Sequence, residues 1–170
     1  YLEKKALSLS GIYPCTRANT LEFCRLFDAY VNQVDVLSVW FTPGEVGFYR
    51  CSNKPQLIPL KTLEPFHVTT PWTHAFEGKK VLVIHPFMKS IQHQIEKSRS
   101  YFKNSLFKPK MDLILYKPVQ SLGTKQKLDG SWKASLDRMI SEIKLIDFDV
   151  SLIAAGAYGL PLAVEIKKMG

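Results

Sequence analysis

The run Ala154-x-Gly156-x-x-Gly159 stands between a predicted strand and a predicted helix, where a dinucleotide fingerprint places its glycines, with alanine at the first of the three positions. Gly156 would let a phosphate approach the backbone, and Gly159, with Pro161 at the helix start, would aim unpaired N–H groups at it. A tight strand-to-helix turn that needs glycine only for packing has the same spacing. The acidic residue expected about 20 positions later, which would mark a nicotinamide cofactor, falls past Gly170. Tyr158 in the same turn either stacks on a base or sugar or covers the sheet edge.

Six further residues carry usable chemistry. His85 closes an apolar run, and an imidazole at a strand's carboxyl end serves as general acid or base, or donates to a phosphate, unless a backbone carbonyl satisfies it. Lys89 and Ser90 open the next helix, as anion ligands or as ordinary first-turn residues. Glu45, in Pro43-Gly44-Glu45, is a candidate base, sugar-hydroxyl ligand or metal ligand, or a solvated turn carboxylate. Gln120 and Ser121 offer neutral hydrogen bonds. Asp147-x-Asp149 resembles a metal-binding pair but precedes a strand, at the wrong end of a sheet for a ligand site. His67 and His74, around Pro71, cannot form an i,i+4 metal pair. Glu64, His67, Trp72 and His74 suggest a sugar platform, against the simpler reading that Trp72 and Phe76 cover the core. Nucleophile-elbow, P-loop, zincin and paired-carboxylate signatures are missing, so hydrolase and kinase readings lose their usual support.

These residues are positioned by alternating elements. A helix is predicted over Thr20–Asn32, capped by Asn19, with Leu21, Cys24, Phe27 and Val31 as its core stripe. Strands are predicted at Asp35–Phe41, at Gln56–Leu60 (an edge strand because of Pro55 and Pro59), at Lys79–His85, at Asp112–Tyr116 and at Asp149–Ala155. Further helices are predicted at Thr70–Gly78, with Thr70 as cap and Pro71 first, at Met88–Phe102, from the Ser131 cap to Ile146, and at Leu160–Met169. The face of the helix after Ser131 carries Trp132, Leu136, Met139, Ile140 and Ile143. Helices alternating with continuous apolar strands predict one α/β domain over 1–170, a Rossmann-like, doubly wound, mostly parallel sheet with helices on both faces. Ligands in such sheets bind outside the carboxyl ends of the strands, so the loops at 41–46, 85–90, 119–124 and 155–160 are the places to look.

Composition narrows the class. The chain has 170 residues, 46% apolar and 22% charged, enough for one domain with its own core. No apolar run reaches the roughly 18–20 residues of a membrane span, and no signal-peptide pattern follows Tyr1. Cys15, Cys24 and Cys51 form neither a CxxC nor a disulfide framework, which suits a reducing cytoplasm. The net charge of +8 is concentrated between Lys79 and Lys127, where eleven Lys and Arg face only Glu96 and Asp112. That stretch favours an anionic partner or is a solvated lysine-rich face. It lacks a nucleic-acid recognition motif, so nucleic acid is not expected as a partner. The start without methionine and the end after a helix predict a fragment of a longer protein, cut at both ends.

The segments Gly11-Ile12-Tyr13-Pro14, Val39-Trp40-Phe41-x-Pro43-Gly44-Glu45, Leu63-Glu64-Pro65, Pro71-Trp72, Glu77-Gly78-Lys79-Lys80-Val81-Leu82-Val83-Ile84-His85-Pro86-Phe87, Val119-Gln120-Ser121, Asp147-Phe148-Asp149 and Gly156-Ala157-Tyr158-Gly159-Leu160-Pro161-Leu162-Ala163 resemble a family encoded beside bacterial polysaccharide-synthesis genes and similar to glycosyltransferases of the GT-D fold. The resemblance covers nearly the whole chain. It implies a Rossmann-like domain that moves a sugar from a nucleotide-diphosphate donor to a glycan or lipid-linked acceptor, with a divalent Mn or Mg ion neutralising the diphosphate. The Asp-x-Glu element of GT-D enzymes is not found between Tyr1 and Gly170. On this picture Gly156 and Gly159 approach the diphosphate, His85, Lys89 and Ser90 flank it, Gln120 and Ser121 hydrogen-bond it, Tyr158 touches sugar or base, and Glu45 acts on the acceptor side. The setting implied is cytoplasmic, with the basic stretch drawing the donor or the inner membrane face. The rival readings are a non-catalytic nucleotide-binding module and an NAD(P)-dependent sugar-modifying enzyme.

Overall fold

The computed structural model describes residues 2–97, 110–122 and 129–170. Two parallel sheets are present among them. The larger joins β3 (Lys80–Ile84), β4 (Asp112–Tyr116) and β5 (Val150–Ile153) in the order β4-β3-β5, with Val81 level with both Leu113 and Val150. β3 is central because its side chains are apolar on both faces: Val81, Leu82 and Ile84 are fully buried. Side chains alternate across a strand. Leu82 and Ile84 therefore share one face with Ile114, Tyr116 and Ile153, and Val81 and Val83 take the other with their partners Leu113 and Leu115.

The Leu82 face is covered by α5 (Trp132–Ile143) and α6 (Gly159–Lys167), which bring Leu136, Met139, Ile143 and Leu162 into one core cluster. Each such side chain taken from water contributes roughly 1.5–3 kcal/mol. Ser131 caps α5 as predicted, its hydroxyl accepting from Ala134 N–H at 3.1 Å. On the opposite face, Met88 and His93 of α4 (Met88–Lys97) border a groove with Leu113 and Leu115. The remainder of the helix predicted to Phe102 lies outside the described residues, as do Arg99, Lys103, Lys108, Lys125 and Lys127 of the basic stretch.

The smaller sheet pairs β1 (Val36–Val39) with β2 (Gln56–Pro59) in parallel, Val36 level with Gln56 and Val39 with Pro59. The prolines stand at the end of β2 and just before it, where the ladder tolerates them. α2 (Arg17–Val31) ties this pair to the rest: Tyr30 donates to Glu165 Oε1 at 2.7 Å, and Lys167 Nζ reaches Asp35 at 2.6 Å and the Gln33 carbonyl at 2.9 Å.

Several expectations are corrected. α2 is capped by Thr16, not Asn19: the Thr16 hydroxyl accepts from Asn19 N–H at 3.2 Å, while the Asn19 amide donates to the Pro14 carbonyl at 2.9 Å. Its inner face is Phe23, Leu26, Phe27, Tyr30 and Val31, an i, i+3, i+4, i+7, i+8 set, and Leu21 and Cys24 point outward. The segment after Thr70 is a 3-10 turn over Trp72–Phe76 with Pro71 before it. Phe76 is buried, whereas Trp72 rests edge-on against it with the ring centroids 5.7 Å apart and is partly exposed. Two helices were not expected, α1 (Leu2–Ser10) and α3 (Glu45–Cys51).

Candidate functional site

Because β3, β4 and β5 are parallel, their carboxyl ends share one rim. Pro86 after β3, Gln120 and Ser121 after β4, and Gly156 and Tyr158 after β5 line a cleft of about 200 Å³ there, closed by Leu9 and Ser10 from the end of α1. The chain leaves β3 toward α4 and leaves β5 toward α6, so the loops part at this place and open the cleft. Gly156 has φ 55° and open space around the position of a Cβ. Glycine is thus required by its left-handed backbone and not by crowding. Gly159 is the first residue of α6, with a helical φ of −59° and no close neighbour to a Cβ.

The floor is a set of buried hydroxyls. Ser121 donates to the Gly11 carbonyl at 2.7 Å and lies 3.0 Å from the Tyr158 hydroxyl. Burial pushes the Tyr158 phenol well above its usual range, so it is a neutral hydrogen-bonding group here. Its ring stacks on Trp132 at 5.1 Å between centroids. Behind it, the Tyr13 hydroxyl bonds Ser135, and Ser135 donates to Asp129 at 2.6 Å. Arg138 grips the same carboxylate through Nε at 2.8 Å and Nη2 at 3.0 Å, and donates from Nη1 to Glu142 at 2.7 Å. Glu142 also accepts from the Tyr116 hydroxyl. The Arg138 guanidinium, helped by the Ser135 hydroxyl, holds Asp129 below the usual carboxylate range. Glu142 is held down first by the Tyr116 hydroxyl and then by Arg138.

Gly11 explains how the floor is assembled. It stands at φ 71°, and a Cβ there would lie 2.7 Å from the Ser121 hydroxyl oxygen and 2.9 Å from the Ser121 carbonyl carbon. Ser10, Gly11, Tyr13 and Ser135 were missed as site residues. The only local signal was the glycine after Ser10, since the partners are distant in sequence.

The remaining predicted residues take other places. His85 adjoins Pro86 but does not line the cleft: its Nδ1 accepts from Phe87 N–H at 3.0 Å, which puts the proton of the neutral ring on Nε2. Lys89 borders the groove between α4 and β4, on the Leu113 side of the sheet. Ser90 is exposed in the same helix. Glu45 follows β1, in the other sheet, and both its oxygens accept backbone N–H groups, from Trp40 at 2.8 Å and Thr42 at 2.9 Å. This clamp holds Phe41 at φ 59°, a conformation that costs a side-chain-bearing residue roughly 1–2 kcal/mol. Asp147 and Asp149 lie at the amino edge as read from the sequence, Asp147 paired with Lys80 and Asp149 accepting from Lys80 N–H at 2.8 Å.

Comparison with family models, curated proteins and solved structures gives no match. The fold therefore rests on the chain's own geometry: mixed helix and sheet with parallel strands in two small sheets. Among the described residues no helix is long and apolar enough to cross a membrane. No group of three or more His, Cys, Asp or Glu among them is placed to hold a metal ion. Among the described residues the donor set at the cleft does not fit a divalent ion, because neither carboxylate nor imidazole lines it and Glu45 is committed to the backbone.

Proposed function

We propose that the chain is a nucleotide-sugar-binding, glycosyltransferase-like domain whose donor lies in the cleft at the shared rim. The observation that carries this reading is the convergence of the loops after three parallel strands on one concavity, lined by a left-handed glycine and by the turn that leads into α6. The partial positive charge of the helix dipole at the start of α6 suits a diphosphate, while the N–H groups of Tyr158 and Gly159 are already spent on the Ala155 and Gly156 carbonyls and Pro161 has none. In a doubly wound, Rossmann-like arrangement, this is the crevice where successive connections part to opposite faces. Gln120 would hydrogen-bond the donor from the rim. The Ser121–Tyr158 pair would hold the floor in one shape. The metal implied by the family resemblance has no role in this proposal.

A second reading, nucleotide binding without transfer, is favoured by one observation: the described residues that line the cleft are neutral and include no general base. Calorimetry with UDP-glucose, GDP-mannose, UDP, GDP and NAD(P) separates the readings. Nucleotide-sugar binding that is weakened in Gln120→Ala with an unchanged thermal melt, and lost in Gly156→Val at a temperature where circular dichroism shows that variant still folded, supports the cleft. Nucleotide binding without sugar release in the presence of an acceptor supports the module. Preferential NAD(P) binding supports the sugar-modifying enzyme, and binding unaffected by either variant overturns the assignment.

A further inference from the structure

Trp40 and Phe41, at the carboxyl end of β1, are 70% and 88% exposed. Single exposed aromatics are common on protein surfaces. These two differ because Phe41 stands in the left-handed region, which a bulky residue occupies only when its surroundings enforce it. The Glu45 carboxylate enforces it by accepting the amides on both sides of Phe41, and Gly44, at φ 103°, turns the chain back so that Glu45 can do so. Two rings are thereby presented to solvent on a backbone fixed before any partner arrives. Such preorganisation removes much of the ordering cost of binding.

Local charge selects the partner. From Gln33 to Tyr49 the chain has no Lys or Arg, and Asp35 and Glu45 are its only charged residues. An anionic lipid surface is attracted by basic residues at the contact, so this loop is poorly suited to one. Thr42, Pro43 and Gly44, which follow the rings in the chain, are small and neutral. Aromatic rings on a rigid loop without a cation, its one carboxylate tied to backbone amides, match the C–H face of a pyranose ring, which is apolar while its edge is polar.

We infer that the Trp40–Phe41 loop is a carbohydrate-stacking platform for a neutral glycan, with Glu45 as the residue that positions it. Its place on the acceptor side rests on the sugar-transfer reading; its glycan binding does not. Saturation-transfer NMR on the chain with cellotetraose, maltotetraose and chitotetraose tests it. Saturation of ring C–H protons in at least one glycan is expected, lost in Trp40→Ala and in Phe41→Ala and retained in Trp72→Ala. Glu45→Ala should weaken it with both rings still in place, and circular dichroism should report an unchanged fold in the exposed-ring variants. Absence of saturation with all three glycans, or saturation unchanged in Trp40→Ala and Phe41→Ala, overturns the inference. So does sedimentation with phosphatidylserine vesicles that depends on Trp40 while glycans give no signal. Calorimetric failure of nucleotide-sugar binding would sink the cleft reading and leave the glycan signal standing.

Discussion

The two sheets are built from the same kind of strand pairing and are stabilised differently. In the three-stranded sheet β3 is buried on both faces, and α5 and α6 fill the Leu82 side with fully buried Leu136, Met139, Ile143 and Leu162. In the two-stranded sheet no residue of either strand is buried, and Leu57 and Val36 are close to half exposed. Parallel pairing by itself supplies little, because backbone hydrogen bonds made in the fold replace bonds to water. The difference teaches that the larger sheet, with its helices, is the folding unit that fixes the cleft. The smaller sheet is held through α2 and presents the Glu45 loop.

The comparison breaks most visibly in the core. Leu82→Ala or Met139→Ala should cost about 2–5 kcal/mol in urea unfolding, whereas Leu57→Ala, already half in water, should cost less than about 1 kcal/mol. Equal losses would show that the two sheets share one core.

Next come the two left-handed glycines of the rim. Gly11→Ala meets both a forbidden backbone region and the Ser121 side chain and backbone, and should lose roughly 2–4 kcal/mol. Gly156→Ala meets open space and should lose about 1 kcal/mol. If the order were reversed, the α1 contact would not be what seats the Ser121 loop.

A smaller effect is expected at Ser135, which is fully buried. Ser135→Ala leaves the Tyr13 hydroxyl and Asp129 short of a partner and should cost about 1–3 kcal/mol. A loss within error in a urea melt would mean that water replaces the hydroxyl.

Legibility in the sequence follows the same division. Val81–Ile84 announces a buried parallel strand because lysines and a proline bracket an uninterrupted apolar run. The α5 face and its Ser131 cap are readable because local spacing determines both. The rim was readable through Gly156, whose turn joins a strand to a helix. The inner face of α2 was read rotated, since two helical stripes fit the same residues and only packing against Trp132 and α6 chooses between them. α3 was hidden because Pro43-Gly44 has the chemistry of a turn and the helix beyond it is seven residues long. The hydroxyl network was illegible for a stronger reason: Tyr13 and Ser135 are 122 positions apart, so no spacing rule connects them. Glu45 was expected to act as a base or as a hydroxyl or metal ligand, and its partners in the fold are the amides of its own loop, a geometry that residue type does not specify.

The smallest effect sharpens the comparison by pH. Asp129, Glu142 and Glu165 all have folded pKa values below their ordinary 3.8, 4.5 and 4.5. A depressed carboxylate pKa means that the unfolded chain binds the proton more readily. The stability each group contributes is therefore complete above its ordinary value and disappears as pH falls through the folded one. Asp129 and Glu142 act within the larger sheet's helix layer, through Arg138 and Tyr116, while Glu165 acts at the junction with α2, through Lys168 and Tyr30. Asp129→Asn and Glu142→Gln should each flatten the acid limb of stability measured by urea midpoint against pH. Glu165→Gln should do the same and in addition loosen α2, seen as faster amide exchange in β1 at neutral pH. These groups are partly solvated, so each change is modest. An acid limb identical in all three variants and the parent would place the titrating groups elsewhere, and unaltered exchange in β1 would detach the smaller sheet from the Glu165 contact.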